Sequence, residues 1–100
     1  MIDRYDPKDP LEVNIFSMDF TSLVSGLAIS ACVVDVLRSD GAVEDTSAMV
    51  SGVCDLSDKP IIKQKIAGGT HGVEYLIRFK ATTSTEVIVA SGLLLVKNGA

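Results

Sequence analysis

The sequence predicts an all-β sandwich, a single domain of about seven short strands arranged in two sheets. Stretches in which apolar and polar residues alternate recur along the chain, and clusters of glycine, proline, aspartate and serine separate them. No stretch keeps the 3.6-residue period of an amphipathic helix. With 100 residues, the chain is long enough for one hydrophobic core and too short for two.

The first segment is predicted to be an extended N-terminal arm over residues 1–12, and the β-domain is predicted over residues 13–100. Pro7 and Pro10 fix φ within four residues of each other and exclude a helix there. The arm is expected either to fray as a tail or to dock on a neighbouring subunit.

The first two strands of the domain are predicted from different signals. Over residues 13–20, alternation places Phe16, Met18 and Phe20 on one face. Residues 28–37 are rich in β-branched side chains and are predicted to form a buried central strand. Later strands are predicted over residues 48–53, 61–66, 73–81 and 86–96, with turns at Ser25-Gly26, Asp40-Gly41 and Asp58-Lys59-Pro60 and a polar link over Thr82–Thr85.

A glycine-rich turn, Gly68-Gly69-Thr70-His71-Gly72, is predicted to join residues 61–66 and 73–81 as a β-hairpin. With Ile66 opposite Val73, one face of the hairpin is mostly apolar and the other is mostly charged. The basic residues assigned to this outer face are Lys59, Lys63, Lys65, Arg78 and Lys80, beside the acidic Glu74.

The basic face stands out because the chain as a whole carries a net charge of −4. A basic face on an acidic protein suits head-to-tail contact between identical subunits, so these five cations are the candidate partner-contact residues. The alternative is that the lysines serve solubility and protect strand edges.

Several classes of function are disfavoured by the sequence. A nucleic-acid binder needs a net basic surface, whereas the sequence pI is about 4.7. The longest apolar stretch, residues 87–96, is about half the length of a membrane-spanning helix. The N-terminal residues lack the apolar segment of a secretory signal. We therefore expect no nucleic-acid or membrane partner, and synthesis and assembly in a cytoplasm.

No catalytic, cofactor-binding or metal-ligating group is predicted. His71 is the only histidine, lies in a turn, and has no nucleophile motif beside it. The turn glycines lack the Lys-Ser/Thr pair and the helix of a phosphate-binding loop, so positive φ explains them better. Cys32 and Cys54 are expected to be buried free thiols, with a disulfide or a reactive pair as alternatives. We expect a protein without enzymatic activity.

Two groups of residues resemble a family of small tailed-phage proteins, the fiber–tail adaptor or head–tail neck type. The first group is Asp9-Pro10-Leu11-Glu12-Val13, Asp19-Phe20 and Leu23–Ile29. The second is the G-G-T-x-G-x-x-Y pattern at residues 68–75, followed by the Thr/Ser-rich link at 82–85. Their order and spacing are similar to the family pattern over most of the chain.

The resemblance implies an immunoglobulin-like β-sandwich of about seven strands, located in the virion and assembled in the bacterial host cytoplasm. It implies contacts with portal, tail or fiber components and with further copies of the chain, and it implies no enzymatic activity. Tyr75 resembles the tyrosine of the "tyrosine corner", with Ile77 at the core position two residues later. Cys32 and Cys54 do not stand where the usual immunoglobulin disulfide does.

The alternative function is a small β-sandwich recognition module that binds a peptide or a glycan. Exposed loop aromatics would favour it, and Tyr5 is the one plausible candidate. An enzyme or inhibitor would need a pocket with converging polar groups, which the sequence does not indicate.

Overall fold

The computed structural model describes residues 2–24 and 26–100, which form an all-β domain of two sheets. A one-turn helix, α1 (Thr21–Val24), and a 3-10 turn (Ser47–Met49) are the helical elements of these residues, and no helix is long and apolar enough to cross a membrane. The strands are β1 (Ile2–Arg4), β2 (Val13–Asp19), β3 (Ala31–Arg38), β4 (Val50–Asp55), β5 (Ile61–Ala67), β6 (Val73–Thr82) and β7 (Val87–Val96).

The strands divide into a four-stranded sheet in the order β1-β7-β6-β3 and a three-stranded sheet in the order β2-β5-β4. Strand β1 runs parallel to β7, and all other pairs are antiparallel. Strand positions predicted from alternation are confirmed to within a few residues. Of the predicted turn at Ser25-Gly26, Gly26 has a φ of +82°, and Ser25 lies outside the described residues.

The core lies between the two sheets and takes alternate residues from each strand. Phe16, Met18 and Phe20 are buried together, as their spacing predicts. Ile77 and Phe79 face them from the four-stranded sheet and are also fully buried. Each such side chain contributes about 1.5–3 kcal/mol of transfer free energy. Burial of one face per strand therefore fixes which residues point outward.

The predicted β5–β6 hairpin is wrong. Strand β5 pairs with β2 and β4, whereas β6 pairs with β3 and β7, so the glycine-rich turn crosses from one sheet to the other. Both strands still bury the predicted faces, since Ile66 and Ile77 are fully buried. Alternation identifies the buried face of a strand but not the strand beside it, and here the two buried faces meet across the core.

The strand predicted as central is an edge strand. Strand β3 pairs only with β6 among the described residues, and its other edge is unpaired. Its inward residues Val34 and Val36 are buried, but Val33 and Leu37 point outward. The β-branched composition thus reflects apolar residues on both faces of an edge strand, which is important for the surface described below.

Gln64 is a buried polar residue at the centre of the three-stranded sheet. Its Nε2 donates hydrogen bonds to the carbonyl oxygens of Ser51 at 3.0 Å and Gly52 at 3.2 Å. These carbonyls belong to the irregular part of β4, where the pairing with β5 shifts register. Because a buried amide needs partners, Gln64 and the bulge in β4 satisfy each other.

The N-terminal arm is extended, as predicted, but it lies on its own domain. Strand β1 adds to the edge of β7, and the Tyr5 ring packs against Phe16 with 5.0 Å between ring centroids. Lys8 is fully buried, and its Nζ donates to the carbonyl oxygens of Asp9 at 2.8 Å and Gly68 at 2.6 Å. Burial lowers the pKa of Lys8. A frayed tail does not describe this arrangement, and docking of the arm on a neighbouring subunit stays a prediction.

Cys32 and Cys54 form a disulfide, so the expectation of free thiols is wrong. Cys32 lies at the start of β3 and Cys54 near the end of β4, each of which is the last strand of its sheet. The bond therefore joins the two sheets along one open side. Both residues are half-buried and pack against the edge of the core.

Candidate interaction faces

The outer side of the four-stranded sheet carries two apolar patches. Register places Val33 and Val89 on either side of Lys80, and Leu37 and Leu93 on either side of Leu76. The valine patch comprises Val33, Val87 and Val89; the leucine patch comprises Leu37, Leu76, Leu93 and Leu95. Val87 is 64% exposed and Val33 is 59% exposed. We call this side of the sheet the four-stranded face.

A charged cluster separates the two patches. Arg78 donates from Nε and Nη2 to the two carboxylate oxygens of Asp35, each at 2.7 Å. The Nζ of Lys80 lies 3.8 Å from the same carboxylate. The hydrogen bonds from Arg78 hold the pKa of Asp35 below its usual range, although partial burial opposes them. A bidentate pair of this kind fixes both side chains in one geometry.

Loss of this pair is expected to make the stability of the domain less sensitive to acid. Because the pKa of Asp35 is lower in the folded state than in the unfolded chain, its charged form stabilises the domain above the unfolded pKa of about 3.9. This stabilisation is lost as the pH falls through the folded pKa. Both groups are half-exposed, so we expect Asp35→Asn to cost at most about 1 kcal/mol at pH 7. Urea denaturation from pH 7 to pH 2 checks this.

The difference between wild type and Asp35→Asn should shrink below pH 4 and vanish when Asp35 is protonated. Hydrogen bonds also lower the pKa values of several other carboxyl groups, such as Asp40 and Glu74. The comparison isolates Asp35 because these other groups are the same in both proteins. A difference that stays constant across this range would show that the substitution acts through something other than the charge of Asp35.

The outer side of the three-stranded sheet, which we call the three-stranded face, is less uniform. Ile15 is 62% exposed and lies opposite Lys65, and Val53 projects from the bulge of β4. A shallow groove of about 270 Å³ runs between these residues, bordered by Ser51 and Lys63. The aliphatic stems of the lysines can cover part of the apolar surface, so this face presents mixed chemistry.

The five predicted contact cations do not form one face. Lys63 and Lys65 lie on the three-stranded face, whereas Arg78 and Lys80 lie on the four-stranded face, on opposite sides of the domain. Lys59 lies in the turn before β5. The single basic face was inferred from the β5–β6 hairpin, and it disappears because that hairpin does not form. Whether any of the five contacts a partner stays a prediction.

Three of these cations have acidic neighbours. Lys63 forms an ion pair with Asp58, and both Arg78 and Lys80 are paired with Asp35. No salt bridge is present for Lys59 or Lys65 within the described residues. Lys65, which is exposed on β5, is therefore the predicted contact cation most available to a partner on the three-stranded face.

Tyr75 anchors the turn that crosses between the sheets. Its ring is fully buried, and its hydroxyl accepts a hydrogen bond from the Thr70 backbone N–H at 2.9 Å. The same hydroxyl donates to Glu44 Oε2 at 2.8 Å. The sequence pattern identified Tyr75, but it gave no sign of Glu44, which approaches from a loop 31 residues earlier.

The turn glycines behave as the sequence predicts. Gly68, Gly69 and Gly72 all have positive φ, so their conformation explains the glycines. The Nδ1 of His71 accepts a hydrogen bond from the Asn98 backbone N–H at 3.0 Å. In the described part of the chain, no group of three or more His, Cys, Asp or Glu side chains could hold a metal ion.

Comparison with known protein families and with curated proteins gives no match to this chain.

Proposed function

We propose that this chain is a structural protein of a tailed-phage or prophage particle, acting as an adaptor at the head–tail or tail–fiber junction. Its partners would be portal, tail or fiber components and further copies of itself, and its role would be binding rather than catalysis. The proposal starts from the resemblance carried by residues 9–29 and 68–85. The observation that carries it further is the apolar surface on the four-stranded face.

That surface supports an assembling protein, because isolated domains seldom expose several large apolar side chains on one sheet face. Val87 and Val89 project from the same side of β7, and Val33 lies across Lys80 from Val89, where a solvated sheet would normally carry polar residues. Large exposed apolar patches mark contact sites in soluble proteins. In a particle component, neighbouring proteins would cover these apolar side chains after assembly.

The fold within the proposal is an immunoglobulin-like sandwich. In such folds, strands C, F and G share one sheet and strands B, E and D share the other. The strand sets β3-β6-β7 and β2-β5-β4 are consistent with this division. Strand β1 is joined to β7, which takes the place of strand G. Tyr75 adds support, because a tyrosine corner also bonds its hydroxyl to the backbone a few residues upstream.

Particle composition tests the virion role directly. Particles of the phage that encodes this chain should be purified on a density gradient, and their proteins identified by mass spectrometry. We expect the chain in a fixed ratio to the portal or tail proteins, resistant to salt washing. Absence of the chain from washed, infectious particles would overturn the proposal. A matched mock purification from uninfected cells controls for host-derived protein.

A recognition module that binds a peptide is the second candidate, favoured by the groove on the three-stranded face. Ile15 and Val53 give this groove apolar walls, and Lys65 gives it a cation. The glycan version is less supported, because the Tyr5 ring packs against Phe16 and Gly92 instead of projecting from a loop. A peptide and glycan array probed with the labelled domain would dismiss this candidate if nothing binds.

A further inference from the structure

Strand β7 is apolar on both of its sides. Its inward residues Ala90, Leu94 and Val96 are buried, as one side of any strand in this fold must be. Its outward residues are Val87, Val89, Ser91, Leu93 and Leu95, where a solvated antiparallel sheet would carry polar groups. Near-continuous apolar strands are typical of sheets covered on both faces. Within the described chain, only one face of β7 lies against another layer.

The neighbouring strands extend the apolar surface on both sides of the charged cluster. In the valine patch, Val89 is 49% exposed; in the leucine patch, Leu37 is 44% exposed. Between them lie the paired Asp35 and Arg78, whose hydrogen bonds already satisfy much of their polarity. A charge pair satisfied in this way is less costly to cover than an isolated charge. The face is thus suited to burial.

We propose that the four-stranded face binds the same face of a second copy of this chain, giving a face-to-face dimer. The charges of the face favour this occupant. Its outward positions on β3, β6 and β7 hold two acidic residues, Asp35 and Glu74, and two basic residues, Arg78 and Lys80. On β1, Arg4 lies on the same face and pairs with Glu74, with 2.6 Å between Nη1 and Oε2. Three basic and two acidic residues give the face a net charge of +1, close to neutral, whereas the chain carries −4.

This balance favours a second copy over a partner of strong charge. Two acidic molecules repel each other less when they meet through nearly neutral surfaces that carry both signs. A strongly acidic or basic partner would gain little net attraction at this face. In a two-fold dimer the same surface is present on both copies. The Asp35 carboxylate of each copy can then lie near the cations of the other copy, so that each charged group has a counterpart.

The area of the face agrees with a dimer of moderate affinity. The ten-residue strands β6 and β7 are about 33 Å long, and three strands span about 14 Å, which gives about 450 Å² in projection. This projected area is smaller than the roughly 800 Å² per partner of a standard interface. Interfaces of this size are typical of transient complexes, so we expect dissociation in the micromolar range.

Sedimentation velocity of the purified chain, from about 1 to about 300 µM, measures this self-association. Val89→Glu in the valine patch and Leu37→Glu in the leucine patch should each raise the dimer dissociation constant at least about tenfold, because each buries an unpaired carboxylate. The matched control is Ile15→Glu on the three-stranded face. Ile15 is more exposed than either tested residue, and its substitution should leave the dimer unchanged.

A wild-type chain that stays monomeric at about 300 µM would overturn the inference, since micromolar affinity would be absent. So would a dimer that Ile15→Glu weakens and Val89→Glu does not. Circular dichroism and thermal melts verify that each variant is folded. As a test that needs no variant, dilution of the labelled wild-type chain should shift amide resonances of β3, β6 and β7 and leave those of β2 and β4 in place.

The inference rests only on the self-association part of the proposed function. A dimer found in a protein that is absent from virus particles would keep the inference and remove the virion role. A monomer that is present in particles would do the reverse. The two experiments therefore fail independently.

Discussion

Replacing Gly92 with alanine is expected to lower the free energy of unfolding by about 2–3 kcal/mol, because a methyl group there meets the ring of Tyr5. A Cβ at residue 92 would lie 2.2 Å from Cε2 and 2.9 Å from Cζ of Tyr5. The φ of Gly92 is outside the left-handed region, so alanine is strained only by this contact. The ring must therefore leave its place against Phe16, and the docked arm is weakened with it.

A double-mutant cycle with Tyr5→Ala measures the contact, using urea denaturation for all four proteins. In the Tyr5→Ala background, Gly92→Ala should be neutral or stabilising by up to about 1 kcal/mol, since alanine restricts the unfolded chain. The coupling energy should then account for nearly the whole effect of the single variant. Equal losses in both backgrounds would mean that the strand itself, and not the ring, requires glycine at residue 92.

Removing the Cys32–Cys54 disulfide is expected to lower the free energy of unfolding by about 3 kcal/mol through the entropy of the unfolded chain. The two cysteines are 22 residues apart in sequence, which sets the size of the loop that the bond closes. For a domain of this length, that loss corresponds to a fall in Tm of roughly 12–24 °C. The bond also joins two edge strands that are not paired with each other.

Thermal melts with and without a reductant measure the effect on the wild type. The Cys32→Ser/Cys54→Ser double variant is the matched control: it should melt near the reduced wild type and should not respond to the reductant. If the wild type melts at the same temperature in both conditions while its thiols titrate as reduced, the bond contributes no net stability.

The local features of the fold were predictable because they depend on short-range patterns. Alternation over a few residues identifies the buried side of a strand, which is why Phe16, Met18 and Phe20 were assigned correctly. Glycines at 68, 69 and 72 indicated positive φ for the same local reason. The start and end of the strands also followed from turn residues.

Strand pairing was not predictable from these patterns. Adjacent strands in sequence usually pair, so β5 and β6 were assigned to one hairpin. The actual partners of β6 are β3 and β7, and the choice depends on packing between residues tens of positions apart. The error carried over to the surface, because the supposed single basic face combined Lys65 of one sheet with Lys80 of the other.

The docked arm and the disulfide were missed for a related reason. Prolines at 7 and 10 indicate an extended chain, but they carry no information about the groove that receives it. That groove is made by Phe16 in the next strand and by Gly92, which lies far along the sequence. In the same way, the neighbours of the two cysteines do not reveal that the start of β3 lies beside the end of β4.

The parallel pairing of β1 with β7 places the first and last strands of the domain side by side. Further backbone hydrogen bonds continue this contact, from Tyr5 N–H to the Leu93 oxygen and from Lys97 N–H to the Lys8 oxygen. Tension applied at the two ends of the chain would slide these strands past each other, so several hydrogen bonds would bear the load together. An optical-trap pull would record this as a high rupture force, and the domain would transmit tension along its length without unzipping.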